Sequence, residues 1–169
     1  MLTFILIFAL GTSLTTQSDV KKDQIEQLYM EVEAYLLKDD PDNARLSLEK
    51  LLKLDKPNRS NLYLALGRIA EDRHDTKQSI KYYQQSIKSD KKSHKAYYSM
   101  GALYFNQGVE ILNNAKDLAS NAPEQYKAKS RRGRDCMKKA LPYLEKGYKL
   151  SGDRDIYQSP VDIINLYLQ

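Results

Sequence analysis

Two histidines, His74 and His94, one cysteine, Cys136, and a crowd of cations between residues 127 and 139 are the side chains from which chemistry would have to be built. Neither histidine has a second ligand at metal-binding spacing. A single cysteine excludes an internal disulfide and a thiolate metal site. Cys136 stands beside Arg134 and Lys138, cations that would lower a thiol pKa and make it reactive; the other reading is an ordinary small helical residue. The chain has no glycine-rich phosphate loop, no zinc spacing and no nucleophile elbow. Its many carboxylates are what exposed helix faces carry as a matter of course. No enzyme, metal or cofactor is expected. The cations are Lys127, Lys129, Arg131, Arg132, Arg134, Lys138 and Lys139, with Asp135 the one acid among them. Such a run could neutralise phosphates on nucleic acid or a membrane, with an affinity that falls as salt rises, or it could be the wet face of a long helix. No aromatic platform or nucleic-acid motif accompanies it.

The elements that carry these residues are helices. The chain has 169 residues, 29% of them charged, with only five prolines and seven glycines, and its apolar positions recur at helical rather than alternating spacing. Thirteen tyrosines and no tryptophan suit helix surfaces where a ring packs and its hydroxyl stays wet. Tyr97, Met100, Gly101 and Tyr104 repeat the spacing of Tyr63, Leu66, Gly67 and Ala70 at a distance of 34 residues. Ser79, Tyr83 and Ser86 form a second small-aromatic-small pattern after the first of these sets. Ala44, Leu48 and Leu51 lie 35 residues upstream with the same internal spacing, Leu51 replacing the small residue. Ala140, Leu144 and Gly147 give it again 61 residues after Ser79, which leaves an insertion of 27 residues in the third unit.

That insertion has a pattern of its own. Gly101, Tyr104, Gly108, Ile111, Ala115 and Leu118 alternate by four and three, and after Pro123 so do Tyr126, Ser130, Gly133, Met137, Ala140, Leu144 and Gly147. Folding back at Asn121-Ala122-Pro123 sets Gly133 opposite Ile111, Met137 opposite Gly108, Leu144 opposite Gly101 and Gly147 opposite Tyr97. A long hairpin is expected, each helix taking about half the insertion, with a kink or break near Lys138 to Pro142. After Gly152, Ser159 is expected to cap a helix beginning at Pro160, with Val161, Ile164 and Leu168 on one face.

On these residues the chain resembles the tetratricopeptide repeat family, and its ending, Ala140 to Lys146, resembles exported bacterial members with an enlarged last hairpin. The resemblance implies an all-α superhelix of antiparallel hairpins over residues 22–168: repeats at about 25–58, 60–93 and 94–153, an extended third hairpin and a capping helix at 159–168. It also implies a non-enzymatic module or scaffold that binds a protein or peptide in the concave groove lined by the first helix of each repeat. Carried over by position, the groove residues are Asn61, Leu64, Arg68, Glu71 and Asp72 from the second repeat. The third contributes Lys95, Tyr98, Ala102, Phe105 and Asn106. Ala65 and Ser99 stand where the chaperone-binding members need Asn, so that specificity is not carried across. Self-association into a larger envelope assembly is the alternative.

Leu2 to Leu10 is apolar apart from Thr3 and is followed by Gly11-Thr12-Ser13, which predicts a secretory signal over residues 1–18 and a periplasmic protein. The run is too short to span a bilayer, lacks a basic residue before it and is followed by no lipoprotein cysteine. An uncleaved N-terminal anchor is the alternative.

Overall fold

A computed structural model describes residues 17–169. Of the expected signal, residues 1–16 lie outside the described residues, and Gln17 and Ser18 open the first helix. The chain forms α1 (Gln17–Leu37), α2 (Pro41–Leu54), α3 (Arg59–Asp72), α4 (Thr76–Ser89), α5 (His94–Asn113), a 3-10 turn at Lys116–Leu118, α6 (Pro123–Ser151) and α7 (Arg154–Leu168). No strand occurs among the described residues. Helices α1–α2, α3–α4 and α5–α6 are hairpins stacked in chain order, as the repeat predicts.

The first two hairpin turns are built alike. Asp39 and His74 both take left-handed backbone, φ 55° and 58°. The following residues, Asp40 and Asp75, cap the next helix by accepting the amides of Asn43 at 3.1 Å and Gln78 at 3.0 Å. His74 is therefore a turn residue, of a type that tolerates that conformation better than most.

Close helix approach rests on glycines facing large side chains. A Cβ on Gly67 would collide with the ring of Tyr83, which is fully buried and donates its hydroxyl to Glu71 Oε2 at 2.6 Å. In the third hairpin a Cβ on Gly101 would stand 2.7 Å from Leu144, and one on Gly108 2.8 Å from Met137, as the seam predicts. Two of the expected pairings differ. Gly133 faces Leu112 instead of Ile111, at 2.6 Å from the hypothetical Cβ, and Gly147 is covered by Tyr157 of α7 instead of Tyr97.

The insertion is also shared unequally. α5 runs for 20 residues against 14 in α3, while α6 runs for 29 against 14 in α4. α5 stops at Asn113 and the chain passes through the 3-10 turn before Pro123 starts α6. α6 continues unbroken through Pro142. Pro142 cannot donate to the carbonyl of Lys138, but both residues are exposed, so water can satisfy that carbonyl. The last helix starts earlier than Ser159. Gly152, at φ 71°, closes α6, and the Asp153 carboxylate accepts the amides of Asp155 at 3.1 Å and Ile156 at 3.4 Å to open α7. Pro160 then lies inside α7, where it leaves the carbonyl of half-exposed Ile156 to solvent. The expected face of Val161, Ile164 and Leu168 does pack against α5 and α6.

The core runs through the stack as three clusters. Leu28 and Val32 of α1 meet Leu48, Leu51, Leu62 and Leu66. Leu64, Tyr83, Ala96, Met100 and Leu103 join α3, α4 and α5. Leu112, Met137, Ala140, Leu144, Tyr157 and Ile164 join α5, α6 and α7.

Candidate partner-binding groove

Along α3, Asn61, Leu64 and Arg68 fall at i, i+3 and i+7 and so share one helix face; along α5, Lys95 and Tyr98 fall at i and i+3. The stack sets these two faces side by side. They line a hollow of about 420 Å³ together with Ala65, His94 and two residues of α7, Ile156 and Tyr157. Leu64 is buried in its floor, and Tyr98 is half-buried. Asn61, Arg68 and Lys95 are exposed at its rim, and neither Arg68 nor Lys95 forms an ion pair among the described residues. The hollow thus has an apolar base and two available cations.

Helix α7 supplies one wall. The Tyr157 hydroxyl donates to the carbonyl of His94 at 3.1 Å, and its ring meets Tyr98 edge-on, with centroids 5.3 Å apart and planes at 86°. Burial pushes the Tyr157 hydroxyl pKa up. The other side of the same ring fills the space left by Gly147. One tyrosine therefore ties α5, α6 and α7 together at the end of the groove.

The remaining expected groove residues lie elsewhere. Glu71 accepts the Tyr83 hydroxyl, a bond that together with burial drives the Tyr83 pKa upward, burial being the larger cause. Glu71 and Asn106 line a separate hollow of about 440 Å³ with His74, Thr76, Leu103, Gln107 and Glu110. Phe105 is half-buried against the α5–α6–α7 core and lines neither hollow. Asp72 is exposed and Ala102 half-buried, and neither lines these hollows. Sequence reasoning missed Ile156 and Tyr157, because it began the last helix at Ser159; Asp153, a strong capping type just after Gly152, was the signal that could have found them.

All seven residues of the basic run are exposed on α6. Lys127 pairs with Glu124 at 2.9 Å, and the Lys139 ammonium lies 6.0 Å from the centroid of the Tyr104 ring, which itself stacks on Tyr143. Cys136 is half-buried. Among the described residues no group of His, Cys, Asp and Glu is placed to hold a metal ion, and no helix is long and apolar enough to cross a membrane.

Comparison with known proteins agrees with this architecture. The sequence matches no curated protein. Among solved structures, a tetratricopeptide repeat protein from Bacteroides fragilis is similar at TM-score 0.62 and 22% identity, covering 88% of this chain and 70% of that one. MamA is similar at TM-score 0.45 and 17% identity, covering 89% of this chain and 83% of that one. Residues 60–93, which are α3, the Asp75-capped turn, α4 and the link to α5, match the tetratricopeptide repeat family. The chain thus carries a tetratricopeptide repeat and has the all-α fold of tetratricopeptide repeat proteins.

Proposed function

We propose that the hollow between α3, α5 and α7 seats a segment of a protein partner that presents a bulky apolar side chain next to a carboxylate. The broader role, a protein–protein interaction module, rests on the repeat and the fold. The observation that carries the finer reading is the pairing of an apolar base (Leu64, Ala65, Tyr98, Ile156) with Arg68 and Lys95 free at the rim. An apolar anchor gains from leaving water, and an acid beside it gains a charge-assisted hydrogen bond.

Selection from a displayed peptide library tests it. The wild-type chain is expected to enrich sequences with an acid adjacent to a large apolar residue. The double variant Arg68→Glu, Lys95→Glu is expected to lose them while its far-ultraviolet circular dichroism stays unchanged. Both side chains are exposed, so this pair leaves the Tyr98–Tyr157 contact intact. Enrichment of the same sequences by both proteins would reject the groove as the seat.

Export belongs to the same proposal and is supported by the apolar run Leu2 to Leu10. It makes the partner an envelope protein. N-terminal sequencing of the mature protein should find a start beyond that run; a start at Met1 would remove this part.

A further inference from the structure

Charge is divided between the two ends of the stack. α1 carries five acids and two bases, whereas α6 carries nine bases and three acids. Position on each helix sharpens the division. The buried face of α1 holds Ile25, Leu28, Val32 and Tyr35. Asp23, Glu26, Met30, Glu33 and Leu37 recur by three and four residues on the opposite side, all exposed, Met30 at 60% and Leu37 at 83%. On α6 the buried seam is Ser130, Gly133, Met137, Ala140, Leu144 and Gly147. Lys127, Arg131, Arg134 and Lys138 recur by four, three and four away from it, all exposed. α1 packs on α2 and α6 packs on α5 and α7, so these two outward faces do not meet within one chain.

We propose that the acidic outward face of α1 docks on the basic outward face of α6 in a second copy of this chain. The spacings match. At 1.5 Å per residue, Glu26, Met30 and Glu33 lie about 4.5, 10.5 and 15 Å along α1 from Asp23. Measured from Lys138 toward the start of α6, Arg134, Arg131 and Lys127 lie at about 6, 10.5 and 16.5 Å. With the helices antiparallel, Asp23 faces Lys138, Glu26 faces Arg134 and Glu33 faces Lys127. Met30 then falls against the aliphatic stem of Arg131, which can cover an apolar neighbour while its charge stays in water. The Glu124–Lys127 pair does not block this, since an exposed pair of that kind is worth little and exchanges readily. Because the two surfaces differ, the contact is heterologous, and each copy offers one face of each sign to its neighbours. A surface held by exposed charges is weak alone and is strengthened by several acting together, so association depends on concentration and on salt.

The test is a charge exchange read by light scattering on the full chain. The wild type should gain weight-average mass with concentration at about 50 mM salt and return to monomer near 500 mM, where screening is strong. Asp23→Lys, Glu26→Lys, Glu33→Lys makes both faces basic, and Lys127→Glu, Arg131→Glu, Arg134→Glu, Lys138→Glu makes both acidic. Each variant alone should associate about tenfold more weakly or not at all, while keeping wild-type helicity, because all seven positions are exposed. An equimolar mixture of the two should regain association, since each then offers what the other lacks. A wild type that stays monomeric at low salt, variants that associate like the wild type, or a mixture that stays monomeric would each overturn the proposal. Salt-sensitive binding of a monomeric wild type to phosphatidylglycerol vesicles or to DNA would overturn it too, and would give the basic face to phosphates.

Discussion

Gly67 shows how much one hydrogen atom decides. Tyr83 cannot withdraw from a Cβ placed at Gly67, because its ring is fully buried and its hydroxyl is held by Glu71 at 2.6 Å. Gly67→Ala should therefore destabilise the chain by about 1–3 kcal/mol, the usual cost of overpacking a filled core. Urea unfolding measures it, and an unchanged midpoint would show that the ring has room to move. Tyr29 and Asp55 make a second residue-scale contact. The Tyr29 hydroxyl donates to Asp55 Oδ2 at 2.7 Å, and Asn58 Nδ2 donates to the same oxygen at 2.7 Å. Burial first and the Asp55 bond second push the Tyr29 pKa up to about 12. Burial by itself would raise the Asp55 carboxyl, but hydrogen bonds from Asn58 and Tyr29 outweigh it and hold its pKa below the ordinary value. The signs follow. Tyr29 contributes fully below the free tyrosine value of about 10 and loses its contribution as pH rises through about 12. Asp55 contributes fully above the free value of about 3.9 and loses its contribution as pH falls through its lower folded value. The stability gap between wild type and Tyr29→Phe should narrow between about pH 10 and 12. A gap that holds constant over that range would mean that the bond is not formed in solution.

Helices α5, α6 and α7 show where patterns in the sequence were sufficient and where they left a choice. Gly101 facing Leu144 and Gly108 facing Met137 were legible because glycine leaves one answer: a large side chain opposite. Beyond Gly108 two adjacent apolar residues compete for the seam. A four-three alternation through Gly101 and Gly108 passes equally well through Tyr104 and Ile111 or through Phe105 and Leu112. The second phase is the one that faces Gly133, while Tyr104 and Phe105 both lie half-buried against the same core. That ambiguity explains the misassigned partner of Gly133. The start of α7 misled for a different reason, since Ser159-Pro160 has the chemistry of a helix start and Asp153 has it too. The difference is that Asp153 follows Gly152, whose left-handed backbone has already ended α6. The two assignments separate under mutation. Asp153→Ala removes the acceptor for two amides and should cost about 1 kcal/mol. Ser159→Ala, at an exposed position inside α7, should change the stability by less than about 0.5 kcal/mol. The reverse order in thermal unfolding would return the start of α7 to Ser159.

The whole molecule is a row of hairpins, and its stability is distributed along the row. In such stacks each unit touches only its neighbours, so the ends open before the middle unless something holds them. The two ends of this chain are held unequally. At the C-terminal end, α7 lays Tyr157 and Ile164 into the third core and bonds to the His94 carbonyl across the groove. At the other end, α1 is 21 residues long but buries only Leu28 and Val32. Apolar burial contributes about 25 cal/mol per Å², so two buried side chains leave a long helix weakly docked. The middle is different: Tyr83, Met100 and Ala96 are fully buried where α3, α4 and α5 meet, and Ser60 and Ser86 exchange hydrogen bonds there, with Ser86 Oγ donating to the Ser60 carbonyl at 2.7 Å and Ser60 Oγ to the Ser86 carbonyl at 3.0 Å. Amide hydrogen exchange should accordingly show a gradient, fastest in α1, intermediate in α2 and α7, and slowest in α3, α4 and the first three turns of α5. Docking of α1 on a neighbouring copy would slow its exchange as concentration rises at low salt and leave the middle unchanged. Uniform protection from α1 to α7 at low concentration would mean that the stack opens as one unit, and the picture of cores linked in series would fail.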